Sequence, residues 1–258
     1  MKMSVWAFWA RVGTDEMIKR SAAIVACLLF SALMHPAGAQ PAPAGTPETI
    51  AGPQGTSFKF APPTGLCRVD PRQHKEIFDG ITAANESVTL GLWIGCAELA
   101  TVKAGRNTSL KRWLILSMLR GPGGSTDPVQ NMTREDAVSR WAEGLAKVSK
   151  QDPATAQALD KTKDRLRALQ GAKLRANEIR FAGRDSMAAY VAQLTDVDQA
   201  GETVTGATVT AMTLVRNYRF GVSLHELHVG AERFPDLYDG VREAAHGLVR
   251  LSDQAPPK

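Results

Sequence analysis

The stretch that most restricts how this chain can fold runs from Val204 to Leu251: two segments of strand character joined by Arg216-Asn217, then one amphipathic helix. Tyr218, Phe220, Val222 and Leu224 occupy every second position, with Arg219, Gly221, Ser223 and His225 between them. That alternation is the mark of a strand with one buried face and excludes a helix over these residues. Ahead of it, Val204 to Val215 is rich in Thr and Val, whose restricted χ1 suits a pleated surface. Arg216-Asn217 is the polar break between the two runs, and Asn tolerates the positive φ that a tight hairpin needs. After Gly230 the period changes. Phe234, Leu237, Tyr238, Val241, Ala244, Ala245, Leu248 and Leu251 recur at helical spacing, with Arg233, Asp236, Arg242, Glu243 and Arg250 on the other side. Burial of Phe234, Leu237, Val241 and Leu248 contributes about 6–12 kcal/mol before entropy, which makes this closing helix part of the core.

The first 39 residues read as an export signal. Lys19-Arg20 precede an apolar run from Ser21 to Met34, and Pro36-Ala37-Gly38-Ala39-Gln40 supplies the small residues that signal peptidase accepts, with cleavage after Ala39. The run is too short for the roughly 20 residues that span a bilayer, so no transmembrane segment is expected in the mature chain. Asp15 and Glu16 sit directly ahead of the basic pair, which makes Met17 an alternative translation start. Ile24-Val25-Ala26-Cys27 is lipobox-like, but the apolar run and the Ala-x-Ala site both lie beyond it, which disfavours acylation of Cys27.

Removal of residues 1–39 takes away four basic and two acidic side chains and lowers the formal net charge from +5 to +3. The mature chain is thus mildly basic and of a length for one domain. Residues 40–55, rich in Ala, Pro, Gly and Thr without periodicity, read as a flexible linker; 56–252 reads as a single α+β domain, and 253–258 as a disordered tail. Cys67 and Cys96 are the two cysteines left after processing, and such a pair in an exported protein is expected to form a disulfide.

Between those cysteines, Asp70-Pro71 is expected to open a helix as N-cap and first residue, with Ile77, Phe78 and Ile81 as its apolar stripe. The run Ser57-Phe58-Lys59-Phe60 reads as a strand ended by Pro62-Pro63. Val88, Leu90, Leu92, Ile94 and Cys96 alternate, which places Cys96 inward on a strand. Leu110 to Arg120 is apolar on both faces, as a central strand is. Thr133 with Asp136 resembles a capping box ahead of the stripe Val138, Trp141, Ala142, Leu145 and Val148, and Asp152-Pro153 opens a second, more polar helix extending to Gln170. Short strands near Glu178 to Ala182 and Met187 to Leu194 follow, then a surface loop from Thr195 to Glu202. The expected fold is α+β: a mainly antiparallel sheet covered on one face by helices, with a C-terminal hairpin, a closing helix and one disulfide.

Motifs that would carry chemistry are sparse. His225-Glu226-Leu227-His228 looks like a metal pair, yet residues three apart on a strand point to opposite faces, so both histidines could ligate only if the strand had ended by Glu226. No Gly-x-Ser-x-Gly occurs, and Ser125 after the glycine run Gly121-Pro122-Gly123-Gly124 reads as part of a hinge loop. The same glycines lack the Gly-Lys-Ser/Thr of a phosphate loop. Trp93, Trp113 and Trp141 fall on strands or a helix stripe and read as core residues, not as sugar platforms. The cationic run from Lys161 to Arg175 has no interleaved aromatics and is balanced by Asp160 and Asp164, so no nucleic-acid partner is expected. Asn85-Glu86-Ser87, Asn107-Thr108-Ser109 and Asn131-Met132-Thr133 fit the glycosylation pattern but read as chance in a bacterial exported chain. No cofactor, metal site or catalytic residue is assigned; His225, Glu226 and His228 are the nearest candidates.

The leader, the run Phe58-x-Phe60-x-Pro62-Pro63-x-Gly65-x-Cys67 ahead of a helix, the inward cysteine, and the Thr/Val strand with hairpin and closing helix together resemble uncharacterised exported envelope proteins of Gram-negative bacteria. The order of elements is also similar to PsbP-like accessory proteins. The resemblance covers most of residues 56–251 and implies a structural pattern without a catalytic role. The function expected is therefore a non-enzymatic periplasmic module that binds an envelope partner. The alternatives are a small-ligand-binding protein with a pocket between the sheet and the helical pair of residues 133–170, and a hydrolase using His225, Glu226, His228 or the Gly121–Ser125 loop.

Overall fold

A computed structural model describes residues 45–82, 87–104, 110–121, 124–148, 173–199 and 202–254. The expected leader over 1–39, the helix opened by Asp152-Pro153 and the last four residues lie outside the described residues. Strands β8 (Glu202–Val215) and β9 (Tyr218–Leu227) meet in a two-residue turn in which Arg216 and Asn217 have φ of 47° and 66°. Two successive left-handed residues give a turn whose twist matches that of the strands it joins. The turn pairs Val215 with Tyr218 and, twelve positions back along β8, brings Thr203 opposite Asp198 of the next strand. Around this hairpin a seven-stranded antiparallel sheet is ordered β3 (Leu66–Arg68), β4 (Val88–Gly95), β5 (Arg112–Met118), β9, β8, β7 (Ala189–Gln199) and β6 (Lys173–Arg184).

One face of the sheet carries Tyr218, Phe220, Val222 and Leu224 of β9 together with Leu114, Leu116 and Met118 of β5, all buried. It is covered by the closing helix α4 (Phe234–Asp253), which buries Leu237, Val241, Ala244, Ala245, Leu248 and Val249. A small ribbon of β1 (Glu48–Ala51) and β2 (Ser57–Phe60) covers the rest: Phe58 packs edge-on against Phe220 at 4.7 Å, and Phe60 lies 4.8 Å from Trp93. Buried Ser252, near the end of α4, accepts the Lys59 amide at 3.0 Å and donates to the Lys59 carbonyl at 3.2 Å, so helix and ribbon form one lid. The opposite face holds Leu92, Ile94, Trp113 and Ile115 under α1 (Lys75–Thr82) and α2 (Cys96–Lys103), and Leu214 and Ala189 under α3 (Arg134–Val148). The α+β class, the antiparallel sheet, the terminal hairpin, the closing helix and the Cys67–Cys96 bond are as expected from the sequence; the helical cover is shared between the two faces.

Several boundaries differ. The linker expected over 40–55 already contains β1, because Ile50 finds a fully buried place beside Phe58. The helix expected at Asp70-Pro71 starts only at Lys75: Asp70 instead closes a turn, its Oδ1 accepting the Arg72 amide at 2.8 Å and its carbonyl the Gln73 and His74 amides. Cys96 is the first residue of α2 and does not continue β4, since the chain bends at Gly95. The capping box does form, with Asp136 N donating to Thr133 Oγ1 at 3.1 Å and that hydroxyl donating to the Asp136 carboxylate at 2.7 Å, which holds the carboxyl below its ordinary range. The loop expected over Thr195 to Glu202 is instead the end of β7 and the start of β8, which stay paired to Gln199 and Glu202. The disulfide joins β3 to the first turn of α2 with Cα atoms 4.8 Å apart. For a loop closed over 29 residues the chain-entropy model gives about 3–4 kcal/mol. Replacing Cys67 and Cys96 by Ser is expected to lower the free energy of unfolding by about that amount in urea titrations, with an m-value equal to or above that of the cross-linked chain because the unfolded state expands; a free energy that does not fall would contradict it.

Candidate functional site

The residues that the sequence singles out for chemistry are not brought together. Strand β9 continues through Leu227, so His225 and Glu226 point to opposite faces of the sheet. His225 lies on the α1–α3 face, stacked on Trp113 at 5.2 Å and nearly parallel to it, with Nδ1 2.9 Å from Thr208 Oγ1. Its Nε2 is buried without a hydrogen-bond partner, and burial pushes the imidazole down to a pKa of about 4, so the ring is neutral at pH 7. Glu226, on the α4 face, faces Arg233 at 3.2 Å and Arg112 at 3.9 Å. His228 follows the strand in a left-handed conformation, exposed, its amide donating to the Thr205 carbonyl at 2.7 Å. Ser125 donates to the Asp127 carboxylate and receives the Asp127 amide at 2.9 Å, a local turn that commits its hydroxyl. Among the described residues, no three His, Cys, Asp or Glu side chains are placed to share a metal ion.

The fold does assemble a group that sequence reasoning missed. Asp185, in the β6–β7 turn, accepts the Met187 and Ala188 amides on Oδ1 at 2.7 and 2.9 Å. Its Oδ2 accepts the Tyr190 hydroxyl at 2.7 Å and lies 2.8 Å from His246 Nε2 on α4, with Arg242 Nε at 3.6 Å. Burial alone would raise the Asp185 carboxyl, but the bonds from Tyr190, from the two amides and from His246 outweigh it and leave the group below its ordinary range. Burial and donation to Asp185 hold the Tyr190 hydroxyl far above its usual value. A phenol so reluctant to ionise, fully buried under Tyr238 at 4.7 Å, keeps its proton, and a carboxylate with this many donors has little basicity left. The group therefore acts as a pin between the β6–β7 turn and the closing helix, and not as a proton relay. No local pattern announces it, because His246 and Asp185 are 61 residues apart in the chain.

A pocket of about 310 Å³ opens beside this pin, where α4 begins over the β6–β8 side of the sheet. Ala182, Ala192 and Val209 form its floor, and Phe234, Tyr238 and Asp239 its wall and mouth. This pocket is on the α4 face; on the opposite face α3 packs on the sheet, with Ala137, Val138 and Ala142 buried against Leu214 and Ala189, and the second helix of the pair expected over 133–170 lies outside the described residues. A second pocket, of about 420 Å³, lies at Arg68, Asp70 and Arg72. Compared with known protein families and with curated proteins, the chain matches none. Among the described residues, no helix is long and apolar enough to cross a membrane.

Two outcomes follow from the charges. The His225 pKa is depressed on folding, so between pH 6.5 and about 4 the unfolded chain takes up a proton that the folded chain refuses, and stability falls as pH falls through that window. His225→Phe, which keeps the stack on Trp113, is expected to remove about 2–3 kcal/mol of that acid loss in urea titrations at the two ends of the window; equal pH slopes in both proteins would contradict it. Asp185→Asn keeps one oxygen for the two turn amides but puts an NH2 group where Oδ2 accepts the Tyr190 hydroxyl and faces His246, and is expected to cost about 2 kcal/mol at pH 7, read from the urea midpoint.

Proposed function

We propose that the protein is an exported, non-enzymatic module of the bacterial periplasm that binds a partner protein or assists an envelope complex. The observation that carries this reading is the dispersal of the reactive candidates: His225, Glu226, His228 and Ser125 occupy two sheet faces, a strand end and a separate loop, and each has its own local structural engagement. A disulfide between β3 and α2 agrees with an oxidising compartment, where such bonds persist. The resemblance to exported envelope proteins and to PsbP-like accessory proteins belongs to the same reading, in which the rigid sheet presents a surface to another protein.

The reading is tested by producing the full chain with a C-terminal tag in a Gram-negative host, fractionating the cells, and crosslinking before gentle capture. The expected result is a periplasmic chain with the mass of a product cut after Ala39, carrying one partner in constant ratio. An uncut cytoplasmic chain, or a periplasmic one that retains no partner after crosslinking, would contradict it.

A further inference from the structure

We propose that the pocket beneath the start of α4 binds a small aryl- or alkyl-ammonium compound. The proposal goes beyond the partner-binding reading and does not depend on it. At about 310 Å³ the pocket stands at the low end of ligand sites, which suits a molecule on the order of ten non-hydrogen atoms. Its room comes from side-chain size. On the same sheet face, β5 and β9 fill the space beneath their cover with Leu114, Leu116, Phe220 and Leu224, whereas between Tyr190 and Leu194 of β7 the floor drops to Ala192, with Ala182 of β6 beside it. An apolar body lying on those alanines and Val209 would be flanked by two aromatic rings.

The charge at the mouth selects the head group. Asp239, exposed at the rim one residue after Tyr238, forms no hydrogen bond or ion pair within the described residues. Cations around the mouth face other carboxylates: Arg180, opposite Ala192 in the register, is bound to Glu178, Arg242 lies at 3.6 Å from Asp185, and Arg112, whose guanidinium lies against Gly240, is 3.9 Å from Glu226. The positive end of α4 is also met, by Asp236 in its first turn and by Glu232 just before it. Burial chiefly raises the Tyr238 hydroxyl above its ordinary range; the charges of Asp185 and Asp239 add to this and Arg242 opposes it. An ammonium group at the mouth would face the Asp239 carboxylate and the ring of Tyr238 or Phe234, whose π-faces attract cations. A carboxylate in the same place would face Asp239 with like charge.

The test is titration of the full chain with 2-phenylethylammonium, 2-phenylethanol and phenylacetate, followed by calorimetry and by amide chemical shifts. The ammonium compound is expected to bind at least tenfold more tightly than either analogue at about 10 mM salt, with shifts centred on Ala192, Val209 and Tyr238. Asp239→Asn is expected to remove that preference while leaving the thermal midpoint in place, and Asp239→Glu to retain it. Ala182→Phe, on the outermost strand, is expected to abolish binding of all three. Equal binding of 2-phenylethanol would overturn the proposal in favour of a neutral apolar occupant, such as a side chain of a partner protein. Binding unchanged in Asp239→Asn, shifts centred elsewhere, or no binding of the ammonium compound at millimolar concentration would overturn it as well.

Discussion

The paired left-handed residues Arg216 and Asn217 determine which side of β9 faces inward, and most of the structure depends on that choice. A slip of one residue in a strand pair would turn Tyr218, Phe220, Val222 and Leu224 outward and put Arg219, Ser223 and His225 beneath the closing helix. With the turn as it is, β9 presents its aromatic and aliphatic side to α4 and to Phe58, and its polar side to Thr208, Thr210 and Trp113. The neutral state of His225 follows from the same register, because it places the ring on the covered polar side with one hydroxyl partner and no carboxylate beside it.

The closing helix is held by more than its apolar stripe. Near its C-terminal end Ser252 completes the main-chain bonding of β2, and six residues earlier His246 reaches the Asp185 pin in the β6–β7 turn. These polar contacts are directional, and hydrophobic burial is not, so they fix where along the sheet the helix sits. Its N-terminal turn is less constrained by the strands below: beyond Tyr190 the floor narrows to alanines and valine, and the pocket is the space that results. The pin and the pocket are thus two consequences of one packing arrangement, with Tyr238 shared between them through its contact with Tyr190.

How much of this could be read from the residues depends on whether the signal was local. The hairpin and α4 were legible because the alternation from Tyr218 to Leu224 and the helical spacing from Phe234 to Leu248 each lie within one element and report one buried face. Cys96 misled because its spacing from Ile94 continues the strand pattern although the backbone has already turned at Gly95. The ends of β7 and β8 were hidden for the opposite reason: Thr195 and Asp196 pair through the backbone, with Thr205 donating to Asp196 at 2.6 Å, and these polar residues break the apolar alternation. β1 was concealed by a single buried apolar residue, Ile50, amid Pro and Gly. The Asp185, Tyr190 and His246 group left no trace in the sequence, since its geometry exists only once α4 lies across the sheet.

The central claim is that hairpin and closing helix form one cooperative unit with the sheet. Native-state amide hydrogen exchange tests it most directly. The account predicts that amides of β9 from Phe220 to Leu224 and of α4 from Val241 to Val249 exchange only through global unfolding, with the same free energy of opening and the same response to denaturant. Exchange of the α4 amides through a separate opening several kcal/mol below that of β9 would contradict it, because the helix could then leave while the sheet stayed folded.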